Sequence, residues 1–212
     1  MASRVNVRFV VILSSVLALV ALGAAVAALR VMQKSAAQLA RMGDAKMAAG
    51  DYKLASDIYA KAVNKEQNNA EYLRKWLEAL TKTVPATQTE FDGAYYQSYM
   101  SALRGLALAK PTSVGAHREY LEARYDDSRY VPFSRALQDS LIADAVGALK
   151  YFESEPAPGP WEVLKRYRGL AIVRCMADPS ERRALSPDLV TTAKGDLEAA
   201  LLADPHDESS TL

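Results

Sequence analysis

No proline occurs before Pro85, and from there Pro85, Pro111, Pro132, Pro156, Pro179 and Pro205 follow one another at intervals of 21 to 26 residues. Proline is tolerated in the first turn of a helix and breaks its interior. Each interval therefore holds one helix and its turn. Between the prolines, Ala, Leu, Glu, Lys, Arg and Gln dominate, and no sustained alternation of apolar and polar residues marks a strand. Start signals agree with the spacing. Ser35 with Gln38, Asn68 with Glu71 and Thr87 with Glu90 read as capping boxes. Asp178-Pro179-Ser180-Glu181 and Ser186-Pro187-Asp188 each place a cap before proline, with an acid in the first turn. Gly50-Asp51 supplies a helix stop and a fresh start. The predicted helices are 9–49, 52–66, 70–83, 88–109, 113–126, 132–153, 160–176 and 187–203. The Pro-rich stretch 156–160 reads as a stiff turn. Helix pairs on short turns make a bundle or an α-solenoid.

Residues 36–69 resemble one tetratricopeptide repeat. Leu39 and Met42 take the first large apolar places of its 34-residue motif, followed by Gly43, where two helices approach closely. Gly50-Asp51-Tyr52 is the break, and Ala55, Tyr59 and Ala62 fill the small, aromatic and small places of the second helix. Lys46 and Gln67 depart from the motif, standing where Tyr and Pro are usual. The next unit begins with Leu73 and Trp76, has Leu77 in place of the Gly, and is then interrupted by an insertion around Val84–Thr89. Near the end, Ala193, Leu197, Ala200 and Pro205 recover the second-helix pattern, with Trp161 and Leu164 as candidates for the matching first helix. The resemblance implies an all-α fold in which antiparallel helix pairs stack over residues 35–212, because one pair alone cannot bury its apolar face.

Ahead of that domain, residues 1–34 hold Arg4, Arg8, Arg30 and Lys34 and no acid. Phe9 to Leu29 is a run of 21 uncharged residues, about the length of helix that spans a hydrocarbon core. The expectation is a single-pass transmembrane helix, with membrane contact through residues 9–29 and the bulk of the chain outside the cytoplasm. A rival reading is a cleaved secretory signal ending at Ala25-Val26-Ala27, which leaves a secreted binding protein. The apolar run exceeds the usual h-region of about 7–15 residues, which favours the anchor.

Charge and composition exclude several activities. The chain carries 26 Lys+Arg against 25 Asp+Glu. Setting the four basic residues of 1–34 aside leaves 22 against 25, a net −3 for residues 35–212, which argues against a nucleic-acid partner. One cysteine, Cys175, excludes a disulfide within the chain, and two histidines, His117 and His206, leave little for a metal or catalytic centre. No phosphate-binding glycine loop, zinc-protease motif, nucleophile elbow or calcium loop is present. Cys175 reads as apolar filler, and Asp126-Asp127 as a solvated helix end. Lys165-Arg166-Tyr167-Arg168 with Arg174 reads as a solvated face, and Tyr95, Tyr96 and Tyr99 as packing residues. No cofactor or metal is expected.

The function expected is a membrane-anchored, non-catalytic scaffold that binds protein or peptide partners. The alternative is the anchored N-terminal module of a larger enzyme or assembly factor. The absence of a polar capping helix after Asp204-Pro205 predicts a chain continuing past Leu212, or an apolar edge on its last helix. In the resembling family the first helix of each pair lines the concave binding face. Carried onto this chain, the candidate groove residues are Asp44, Met47 and Ala48 on one helix and Glu71, Arg74 and Glu78 on the next.

Overall fold

A computed structural model describes residues 15–17, 19–20, 22–23, 34–85, 91–128, 135–153, 159–177 and 187–205. Every regular element among them is helical. They are α1 (Ala36–Ala48), α2 (Tyr52–Lys65), α3 (Ala70–Thr81), a π-helical turn Phe91–Tyr95, α4 (Tyr96–Ala109), α5 (Val114–Ser128), α6 (Arg135–Glu153), a 3-10 turn Trp161–Leu164, α7 (Lys165–Ala177) and α8 (Pro187–Ala203). Each helix packs chiefly on its neighbours in sequence, α1 on α2 through to α7 on α8. One apolar core runs through these contacts from Ala36 to Tyr167, with Leu103, Leu106, Leu149 and Leu164 nearly sealed from solvent.

The expected anchor is overturned. Among the described residues no helix is long and apolar enough to cross a membrane. A span needs about 20 consecutive apolar helical residues. Within 9–29 the described helical residues are only 15–17, 19–20 and 22–23, and the others lie outside the described residues. The single-pass location and the extracytoplasmic orientation rested on that helix and fall with it.

Local chemistry also corrects the expected helix 9–49. Ser35 is extended (φ −66°, ψ 160°) and closes a full capping box. Its Oγ accepts from the Gln38 amide at 3.2 Å, while Gln38 Oε1 accepts from the Ser35 amide at 3.0 Å. Two otherwise orphaned amides are thereby satisfied, and α1 starts afresh at Ala36. Its far end is a Schellman motif. Gly50 at φ +76° lets its own amide bond Met47 C=O and the Asp51 amide bond Lys46 C=O, both at 3.0 Å. Asp51 then caps α2 through the Leu54 amide.

Three further boundaries moved. Asn69, rather than Asn68, caps α3, its Oδ1 accepting from the Glu71 and Tyr72 amides. The expected helix 88–109 is interrupted at Gly93, whose φ −88° and ψ −138° are not helical. The 160–176 helix opens with a 3-10 turn before α7. The predicted Thr87–Glu90 box and the Asp178 and Ser186 caps lie outside the described residues, although Asp188 does sit in the first turn of α8.

Close approaches hold the first and last pairs together in the same way. A Cβ on Gly43 would lie 2.5 Å from the Tyr59 ring, and one on Gly169 would lie 2.8 Å from Leu197 Cγ and 3.2 Å from the Ala193 carbonyl. Tyr59 stands between Ala55 and Ala62, both with no exposed surface, and Leu197 between the buried Ala193 and Ala200. The facing pattern is therefore glycine on one helix against a large residue set between two alanines on the other.

Candidate functional site

The six groove residues divide in the structure. Asp44 on α1 is exposed, yet it is held by two donors. Tyr59 Oη donates to Oδ1 at 2.7 Å and Lys75 Nζ to Oδ2 at 3.0 Å. Burial alone would raise the Asp44 pKa, but the bonds from Tyr59 and Lys75 outweigh it and hold the carboxyl below its ordinary 3.8. The Lys75 ammonium is shifted up, chiefly by its bond to Asp44. Burial, and then the Asp44 charge, push the Tyr59 phenol up, so it stays a neutral donor.

Lys75 also pairs with Glu71 at 3.1 Å, one turn back on α3. Arg74 reaches 45 residues along the chain to α5, where one guanidinium nitrogen bonds both Glu119 oxygens at 2.9 and 3.2 Å. Met47 is half-buried against the cluster of Ala55, Tyr59 and Ala79. Ala48 and Glu78 are exposed. The structure thus brings Asp44, Glu71 and Arg74 onto one charged strip that crosses α1, α3 and α5, and turns Met47 partly into the core. Lys75 and Glu119 belong to the strip and were missed, and the bond from the buried Tyr59 to Asp44 was not foreseen. Lys75 was detectable as the i+4 partner of Glu71, whereas the long-range partners had no local signal.

The basic run 165–168 is not the solvated face expected. Arg166 is buried and lies over the Tyr167 ring, with its Nη2 donating to Tyr167 Oη at 2.9 Å. Lys165 sits 5.0 Å above the Trp161 ring. Arg168 turns toward α8 and forks onto Asp196 at 2.6 and 2.8 Å. Charge composition alone missed this because long side chains bury their stems and find partners on the next helix. Tyr95 and Tyr99 stack with ring centroids 6.1 Å apart, and Tyr95 Oη donates to Leu80 C=O. Packing is the role these two take.

His117 is buried on α5. Its Nε2 lies 3.0 Å from Pro111 C=O. A carbonyl only accepts, so Nε2 carries the proton of the neutral ring. The ring faces Tyr151 and Phe152, and burial pulls its pKa below the ordinary 6.5. The folded chain therefore binds fewer protons here than the unfolded one. Stability from this group is complete above about pH 6.5 and is lost as pH falls through the lowered folded value. In urea titrations between pH 7.5 and 5, the wild-type chain is expected to lose more stability than His117→Gln, which keeps a donor for Pro111. Parallel losses would refute that assignment.

Cys175, Asp127 and His206 lie outside the described side chains, and Asp126 is exposed near the end of α5. Among the described residues no group of three His, Cys, Asp or Glu is placed to hold a metal ion. The strip can offer charged hydrogen-bonding groups in fixed positions. Compared with protein-family models and with curated proteins, the chain matches none.

Proposed function

We propose that residues 35–212 form a tetratricopeptide-like α-solenoid that binds a protein or peptide partner without catalysis, along the strip crossing α1, α3 and α5. The observation that carries this reading is the pair of cross-links between alternate helices, Asp44 to Lys75 and Arg74 to Glu119. Alternate helices lie side by side when helix pairs stack in register, and the surface they make is the one such repeats use for binding. The repeated packing at Gly43 with Tyr59 and Gly169 with Leu197 supports the same reading.

The pairs also prearrange the strip. A partner presenting opposite charges would exchange with ion pairs that are already oriented, at little ordering cost. Arg74 and Glu119 are about half exposed, and exposed pairs contribute about 0–1 kcal/mol to stability. Replacing Arg74 and Glu78 together by Ala should therefore leave the melting temperature within a few degrees of wild type. Recovery of crosslinked partners should fall severalfold. Undiminished recovery with normal melting would refute the strip as the binding surface.

A further inference from the structure

A cleft of about 460 Å³ opens between α4 and α6, floored by Tyr120 and Arg124 of α5. A smaller hollow of about 170 Å³, sharing Arg104, Tyr120 and Asp144 with the cleft, is lined also by His117 and Tyr151. None of the strip residues lines either space.

The charges of the cleft are not balanced. Asp144 accepts from Arg124 Nε at 3.1 Å, and Arg124 Nη2 donates to Ser140 Oγ at 2.6 Å. That guanidinium is therefore committed to the α6 wall. Burial, followed by the Asp144 charge, pushes the Tyr120 phenol up to about 12, so it remains an uncharged donor. Arg104 stands exposed on the opposite wall, and among the described residues it makes no hydrogen bond or ion pair. Two guanidiniums thus face one carboxylate.

The shape adds a second constraint. Gly147 and Ala148 line the α6 side of the hollow, and a Cβ placed on Gly147 would meet nothing within 4 Å. Glycine in a helix interior costs about 0.5–1 kcal/mol relative to alanine. Here no close packing accounts for it, and its absent side chain leaves the hollow open.

We propose that this cleft binds a small organic carboxylate, its charged end forked onto Arg104 and its carbon body lying along Gly147 toward Tyr151. Guanidinium and carboxylate match as a planar two-point pair. A volume of a few hundred Å³ suits a small molecule. The proposal is independent of the peptide-binding strip.

The test titrates benzoate and hexanoate into the isotopically labelled full chain and follows amide shifts by NMR. Benzamide serves as the uncharged control, and an acetylated tripeptide with a free C-terminal carboxylate as the larger one. The acids are expected to shift amides of α4 and α6 saturably, and benzamide at least tenfold more weakly. Arg104→Gln should weaken acid binding about tenfold or more, the loss of one charge-assisted pair. Gly147→Leu should block it by filling the hollow while keeping Arg104, and both variants should melt normally. Absence of saturable shifts, equal binding of benzamide, or undiminished binding by Arg104→Gln overturns the proposal. So does binding of the tripeptide without the small acids.

Discussion

Asp196→Ala is expected to destabilise the chain by about 3 kcal/mol or more, the usual cost of breaking a buried ion pair from one side. Asp196 is 4% exposed on α8, and both its oxygens are taken by Arg168, Nε at 2.6 Å and Nη2 at 2.8 Å. This two-point fork ties α7 to α8. Truncation leaves a guanidinium at 18% side-chain exposure, with Glu153 at 3.8 Å as its one remaining ion-pair partner among the described residues. Most of the loss therefore comes from stranding a charge, because the intact pair has already given up much hydration energy. Two consequences separate this from simple cavity formation. Arg168→Ala should cost a similar amount, and Arg168→Met combined with Asp196→Leu should recover most of the stability. Urea unfolding measures all three. A loss below about 1 kcal/mol in both single variants, or a double variant as weak as the singles, would contradict the account.

Gly43→Ala is expected to cost about 2 kcal/mol, although alanine is the better helix former. The new Cβ would sit 2.5 to 2.8 Å from three atoms of the Tyr59 ring. That ring is 2% exposed, lies between Ala55 and Ala62, and is tied to Asp44 at its hydroxyl. It cannot turn aside without breaking the Asp44 bond, so α1 must move off α2. In a chain of this length the loss corresponds to a drop of roughly 6 °C in Tm. Gly147→Ala is the control, since the same added methyl meets nothing there and should raise stability by about 0.5–1 kcal/mol. If Gly43→Ala melts at or above wild type, the close approach of α1 and α2 has been misjudged.

Much of the helical layout was legible in the residues because it is decided locally. The Ser35–Gln38 box, the Gly50 stop and the Asp51 cap each involve atoms within six positions of one another, and each formed. The same capping box explains one error, since a helix that starts at Ala36 cannot be the continuation of an apolar helix beginning at Phe9. Hydropathy alone could not show that, because it counts apolar residues and not where the helix begins. Gly43 was also legible as a close approach of helices and Tyr59 as a packing residue, but that they face each other was not, and Gly169 was not singled out.

The tertiary structure decided what the charges do. Whether Arg74 is a free donor or the partner of Glu119, and whether 165–168 faces water or Asp196, depends on which helix lies opposite. Those partners are 45 and 28 residues away. Long-range pairing of this kind leaves no periodic mark in the sequence, because an ion pair needs only two residues and any exposed helix offers many. The cleft has the same origin. Arg104, Tyr120, Asp144 and Gly147 are unremarkable along the chain, and only the spacing of α4, α5 and α6 brings them around one opening. The sequence by itself determined that the chain is built of capped helices and where two of them must touch. Only the packed structure determined which charges are neutralised and that Arg104, with no ion pair among the described residues, faces a cavity, since neutralisation is a property of distances between elements.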